Sequence, residues 1–243
     1  MKKICFFLVL IFLGFSCNRG QKNDSFTIRG QFQHAGNEKI VICEMDVREI
    51  IPVDSAVPDN EGNVSFSHPL DQPGFYLLIF PDGKRITLVM QAGEDLILKG
   101  DLRNPDGEFT LTGSVGSELL EGFFRATMKN KARIDSVKRV LLREEGTDEF
   151  LRSGLKADSL FFRINEDQKK LEKEFIDRNP ESLASLIVLN YSFGPKPVLT
   201  MEDDLAWYQK LTGLYRIYPK NKHVLFHMKR MSLFMNNLKN TGN

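Results

Sequence analysis

From Ser25 to about Thr112 apolar and polar residues alternate in short runs, the period of half-buried strands. Phe26, Ile28 and Phe32 alternate with Thr27, Arg29 and Gln31, and Gly30 interrupts the series. Lys39–Asp46 and Ile50–Val57 follow, and then Asn63–His68, with Val64 and Phe66 pointing inward. Phe75–Phe80 (FYLLIF) is apolar on both faces, as a central strand would be. Arg85–Met90, Asp95–Lys99 and Glu108–Thr112 complete about eight strands. Turn chemistry separates them: Asp59-Asn60-Glu61-Gly62, Pro73-Gly74, Pro81-Asp82-Gly83, Gly93 and Pro105-Asp106-Gly107. Short strands at this spacing predict an antiparallel β-sandwich-like domain over residues 25–113.

From Ser117 onward the period becomes helical, predicting an all-α domain over 114–243 and an α+β chain as a whole. Leu120, Phe124, Met128, Ile134, Val137 and Leu141 fall on one stripe of a first helix, which Gly146 ends. Thr147 caps a second helix, with Leu151, Leu155, Phe162, Leu171 and Phe175 inward and Asn179-Pro180 at its end. Ser182 to Tyr191 reads as a short apolar helix, and Gly194, Pro195 and Pro197 as a break. Thr200 with Asp203 resembles a cap for a helix through Trp207, Leu211 and Leu214, stopped by Pro219. A last helix from His223 to Leu238 packs Val224, Phe226 or His227, Met231 and Phe234.

The first seventeen residues follow a different rule. Lys2 and Lys3 precede an apolar run from Ile4 to Phe15, then Ser16 and Cys17. Twelve residues span roughly 18 Å as a helix, short of the roughly 30 Å of a bilayer core and suited to the h-region of a secretory signal. Residues 1–16 resemble a lipoprotein signal peptide, in which Cys17 becomes the first residue and carries acyl chains. Gly14 and Phe15 depart from that pattern, which prefers Leu and a small residue there; Ser16 fits it. Several acyl chains would hold the protein stably on a membrane. A polar tether, residues 17–24, would follow. The expected location is the cell envelope, lipid-anchored to the outer membrane, on its periplasmic or surface face.

Composition narrows this further. Without Lys2 and Lys3, the 33 basic and 32 acidic residues become 31 and 32, so no basic surplus points to nucleic acid. No second long apolar segment follows the first. With Cys5 in the signal and Cys17 acylated, Cys43 has no partner for an internal disulfide, and the fold must stand on its core. Cys43 shares a strand face with Val41 and Met45 and reads as a buried small apolar residue.

Candidate chemistry is sparse. His223 and His227, four apart, could face the same way as a metal pair, but no third ligand stands at local spacing, so capping and core roles are expected and no metal or cofactor is predicted. Asp54-Ser55-Ala56, Asp135-Ser136-Val137 and Asp158-Ser159-Leu160 resemble an Asp-Ser-aliphatic O-glycosylation pattern of exported Gram-negative proteins, with chance tripeptides the plainer reading. Glu202-Asp203-Asp204 sits at a helix start, where the dipole favours negative charge. Lys138-Arg139 and Lys169-Lys170 read as solvated helix faces. No Gly-rich phosphate loop and no Ser–His–acid spacing is recognisable.

One wider resemblance covers roughly Phe26–Phe234. Its residues are Gly30, Asp54-Ser55, Gly62, Phe66, Gly74-Phe75-Tyr76, Gly93-Glu94, Gly100, Gly113-Ser114 and Ser117. Phe175–Leu186 (FIDRNPESLASL), Tyr218-Pro219 and His223-Val224 extend it. The pattern resembles the N-terminal domain of unknown function, with its helical segment, in Gram-negative lipoproteins that carry a TlpA/ResA-type thiol–disulfide oxidoreductase domain. That chemistry needs a Cys-x-x-Cys pair, whose first thiolate attacks and whose second resolves the mixed disulfide. The sequence contains none, and it ends at Asn243, where the resemblance would place the thioredoxin domain. No catalytic residue can therefore be carried over. The resulting expectation is a non-catalytic cell-envelope lipoprotein acting as a binding or interaction module, with a membrane and an envelope protein as partners. Half of a split or truncated thiol–disulfide oxidoreductase, and a glycan- or nutrient-binding lipoprotein, are the alternatives.

Overall fold

A computed structural model describes residues 24–103, 109–192 and 197–241. The signal segment, Cys17, the tether through Lys22-Asn23, the Pro105–Glu108 stretch and the Gly194-Pro195 break lie outside the described residues. Among the described residues eight strands precede the helices: β1 (Ser25–Gln33), β2 (Ile40–Met45), β3 (Ile50–Ala56), β4 (Asn63–Pro69), β5 (Gly74–Ile79), β6 (Arg85–Met90), β7 (Asp95–Asp101) and β8 (Thr110–Thr112). They form two four-stranded sheets, ordered β4-β1-β7-β8 and β3-β2-β5-β6.

The alternation read from the sequence sets the faces. Phe26, Ile28, Phe32, Phe66, Leu96 and Leu98 of the first sheet meet Ile40, Ile42, Tyr76, Leu78, Leu88 and Met90 of the second in one buried core. Gly30 does not break the series. It keeps the inward register, and a Cβ there would meet the Phe32 ring at 2.5 Å and Val64 at 2.8 Å, so the missing side chain makes room for Phe32. Gly62 holds the β3–β4 turn at φ +79°, and a Cβ would lie 1.9 Å from the Phe32 carbonyl oxygen.

One pairing departs from the antiparallel expectation: β1 and β7 run parallel. Parity explains it. In both sheets odd-numbered strands run one way and even-numbered strands the other, as they must if the chain reverses at every connection. Placing β7 beside β1 therefore gives a parallel pair, while every other neighbour is antiparallel.

β5 is apolar on both faces because it is sandwiched twice. Tyr76 and Leu78 enter the inter-sheet core, and Phe75 joins Val89 of β6 in a second core built with the helices. Among the described residues six helices follow: α1 (Val115–Glu144), α2 (Phe150–Arg178), α3 (Ala184–Leu189), α4 (Leu205–Lys210), α5 (Leu214–Ile217) and α6 (Lys222–Thr241), with a 3-10 turn between α4 and α5. The fold is α+β. Ser114 caps α1 through Ser117 N–H, and both serines bond β6: Ser114 Oγ donates to the Val89 carbonyl at 2.7 Å, and Val89 N–H donates to Ser117 Oγ at 3.0 Å. Gly116 allows this approach, since a Cβ would sit 2.8 Å from the Val89 side chain.

The helical stripes differ from the expectation. On α1 Leu120 is buried, but the inward line continues through Phe123, Thr127 and Asn130, while Met128 is exposed and Phe124, Ile134, Val137 and Leu141 are half-buried. A strict four-residue step drifts about 40° per step around a helix, so the expected stripe leaves the core face. On α2 the inward residues are Ala157, Ile164, Gln168, Glu172 and Ile176; Leu171 and Phe175 pack against the core, whereas Leu151, Leu155 and Phe162 face solvent. Thr147 does not cap α2; its hydroxyl donates to the Glu144 carbonyl instead, at 2.7 Å.

Candidate functional site

The helical part meets the sandwich through the start of α6. Asn221 Oδ1 accepts from His223 N–H (3.0 Å) and Val224 N–H (3.3 Å), capping the helix, while its Nδ2 donates to the Pro73 carbonyl at 2.6 Å. Lys222 Nζ lies 2.6 Å from Glu44 Oε1 and 3.3 Å from Asp46 Oδ1 on β2 and the turn after it. These ties fix the next turns of α6, on which His223, His227 and Arg230 share a face at i, i+4 and i+7. That face forms one wall of a cleft of about 430 Å³ between α6, the end of β2, Phe75 and α3.

The two histidines do different work. The His223 ring sits 4.4 Å from the Phe75 ring, centre to centre, and its Nε2 is enclosed with no hydrogen-bond partner among the described residues. His227 Nε2 donates to the Tyr208 carbonyl at 2.9 Å. Burial holds both imidazoles below their ordinary pKa, with Lys222 adding to the effect at His223. With His227 Nε2 committed to a carbonyl, the pair is not arranged to share a metal. Among the described residues no cluster of three or more His, Cys, Asp or Glu could hold one. Arg230 stands at the cleft's edge, where its Nη1 donates to Asn190 Oδ1 at 2.9 Å.

A second polar cluster lies between helices, and sequence reasoning missed most of it. Gln168, buried on α2, donates to Thr127 Oγ1 (3.3 Å) and to Glu172 Oε1 (3.1 Å), and accepts from Asn130 Nδ2 (3.1 Å). Burial pushes the Glu172 carboxyl up to about 8; nearby Asp204 adds to the rise, while Gln168 and Lys169 oppose it. Asp204, from the acidic run Glu202-Asp203-Asp204, is buried at the start of α4. Lys173 Nζ lies 2.8 Å from one of its oxygens and Lys169 Nζ 3.0 Å from the other, which also accepts from Thr200 N–H at 3.1 Å. Burial works against this charge, but those partners hold it below the usual carboxylate range. Lys169 is thus half-buried and engaged rather than part of a solvated face, while Lys170 is exposed. Lys173 also lies 4.0 Å over the Trp207 ring. The cluster clamps α4 onto α2.

The third feature is the far half of the α1–α2 hairpin. Arg133, paired with Asp167, marks the level beyond which neither buried core continues. There Leu142 is 70% exposed, Leu151 80%, Leu155 75% and Phe162 67%. At about 100° per residue, Leu151, Leu155 and Phe162 fall within about 40° of one another and about 140° from the mean direction of the buried Ala157, Ile164 and Gln168. They form an apolar stripe without a partner among the described residues.

The remaining candidates are plain. Cys43 is buried, and desolvation raises its thiol pKa despite Arg85. Ser55 on β3, Ser136 on α1 and Ser159 on α2 are all exposed, as are Lys138 and Arg139. No helix of the described residues is long and apolar enough to cross a membrane.

No family model matches the chain, and no curated protein matches it. Among solved structures it is similar to an NMR structure of a protein from Eubacterium rectale, at 12% identity over 38% of this chain and 90% of that one, with a TM-score of 0.24.

Proposed function

We propose that this chain is a non-catalytic cell-envelope lipoprotein, held to a membrane by acyl chains on Cys17, and that it works as an interaction module for another envelope protein. The observation that carries this reading is the exposed stripe of Leu151, Leu155 and Phe162 on the far half of the hairpin. Exposed apolar side chains that join into a patch are the kind of surface that marks an interaction site.

We take a protein rather than the anchoring membrane as the occupant, since the stripe lies at the end of the hairpin away from where the chain enters the fold. The chain enters β1 at Ser25, whose carbonyl accepts from Gly93 N–H, and Gly113 packs against Asp95, so the entry lies at the base of α1. Thirty residues of α1 extend about 45 Å from that base. Fully extended, the tether between Cys17 and Ser25 reaches at most roughly 29 Å. A partner presenting an amphipathic helix or an apolar groove would cover the stripe. The sequence resemblance to the non-redox portion of thioredoxin-like lipoproteins supports the module reading.

Two measurements test the proposal. A photo-crosslinking residue at Leu155 in living cells is expected to yield an adduct with one other envelope protein, lost when Leu151 and Phe162 become Ser. Adducts only with lipid, only with a second copy, or with nothing overturn it. Metabolic labelling with a fatty-acid analogue is expected to mark the protein and to fail for Cys17→Ser, which should leave the membrane fraction; an unlabelled native chain overturns the anchor.

A further inference from the structure

We infer that the cleft between α6 and the sandwich is a binding site for a small carboxylate with an apolar body, a role separate from the hairpin surface. Its shape and lining suit such a ligand. At about 430 Å³ it falls within the range of small-molecule sites, and Met45, Phe75 and Phe226 give it an apolar wall. Phe226 is exposed, although its neighbours at i−2 and i+1, Val224 and His227, are buried. An aromatic ring left at the mouth of a cleft offers a surface on which an apolar ligand can lie.

The polar end selects charge. Arg230 is the permanent cation of the lining, and its one hydrogen bond among the described residues, to Asn190 Oδ1, orients the guanidinium. That bond uses one of five N–H donors arranged as a fork, the geometry that takes a carboxylate in two parallel bonds. Asp46, the acidic residue of the lining, lies at the β2 end; its carboxylate accepts from Val47 N–H at 2.5 Å and shares the single charge of Lys222 with Glu44, so that end of the cleft keeps a net negative charge. The cleft thus has a negative end at Asp46 and a positive end at Arg230, and an anion is taken at the Arg230 end. The His223 and His227 rings supply the wall between the two ends.

The test uses the full chain and four probes in titration calorimetry: phenylacetate and hexanoate against phenethylamine and hexylamine. Saturable one-site binding of the carboxylates is expected, at least tenfold tighter than that of the amines. Arg230→Gln should weaken carboxylate binding at least tenfold with the thermal midpoint unchanged. Phe226→Ser, at an exposed position, should weaken phenylacetate more than hexanoate. Ring resonances of His223 should move on binding, a readout that does not depend on any variant folding. Amines binding as well as carboxylates, Arg230→Gln leaving affinity unchanged, or the absence of saturable heat and of any His223 shift would each overturn the assignment. None of these results bears on the crosslink at Leu155.

Discussion

The sandwich and the far half of the helical hairpin are both rich in large apolar residues, yet they use them in opposite ways. In the sandwich Phe26, Ile28, Leu78, Leu88 and Leu96 are all enclosed between two sheets. In the hairpin Leu142, Leu151, Leu155 and Phe162 stand in solvent. The strands have nowhere else to put their inward face, because a period of two allows one buried side and one exposed side. A helix presents a full circle of directions, so an apolar stripe can face a partner outside the chain as readily as its own core. Apolar content alone therefore says little about stability here; geometry decides which residues hold the fold and which are free to bind.

Four measurements would break or sharpen that contrast. Leu78→Ala, in the middle of the central strand β5, should cost about 2–5 kcal/mol in urea denaturation. A loss below 1 kcal/mol would mean the inter-sheet core is looser than its burial implies. Asp204→Ala removes the acidic partner of Lys169 and Lys173 and should cost about 2–3 kcal/mol, less than a fully enclosed pair because both lysines can reach water. Replacing all three by Asp204→Leu, Lys169→Met and Lys173→Met should recover most of it.

Glu172 sets a pH dependence. Its carboxyl titrates near 8 in the folded state and near 4.5 when unfolded, so between those values the folded protein holds a proton that the unfolded chain has lost. Stability should therefore fall as pH rises through that window, by at most about 1.4 kcal/mol per pH unit from this group. Thermal midpoints from pH 5 to 9 for the native chain and Glu172→Gln should diverge, with the variant flatter; parallel curves would show that Glu172 is not the proton-holding group. The smallest effect belongs to the hairpin: Leu155→Gln should change stability by less than about 0.5 kcal/mol. A larger loss would mean the stripe is covered within the protein itself.

These regions were also unequally legible. Alternation located every strand and identified β5 as central, because a strand's face and its burial are the same information. The parallel β1–β7 pair was not legible, since it depends on which of eight strands come together rather than on any local pattern. Along α2, Leu171 and Phe175 were placed correctly, but Leu151, Leu155 and Phe162 were assigned to a core that does not extend that far. Gln168 and Glu172 escaped notice because polar residues on a helix ordinarily face water, and their burial is decided by Thr127 and Asn130 about forty residues away. Asn221 could have been found: an Asn between Pro219 and an apolar helix has the chemistry of a cap. His227 lies in the core, but the cap expected of the histidines is made by Asn221, and Arg230, one turn further, gains meaning only once the cleft brings it to Asn190.

The serine contacts at the start of α1 carry a consequence for how the molecule could be divided. β6 is an outer strand of its sheet, and such a strand leaves a row of backbone donors and acceptors open to any passing chain. Ser114 and Ser117 occupy that row at Val89, doing with two hydroxyls what a ninth strand would do. At the opposite border, Pro52 withholds a donor from β3, and a register shift that leaves Val53 of β3 without a partner disturbs the ladder beside it. A fragment cut at Gly113 would keep all eight strands and still lose its guard, leaving β6 free to pair with β6 of a second fragment. The first turn of the helical part is in this sense the last strand of the sandwich.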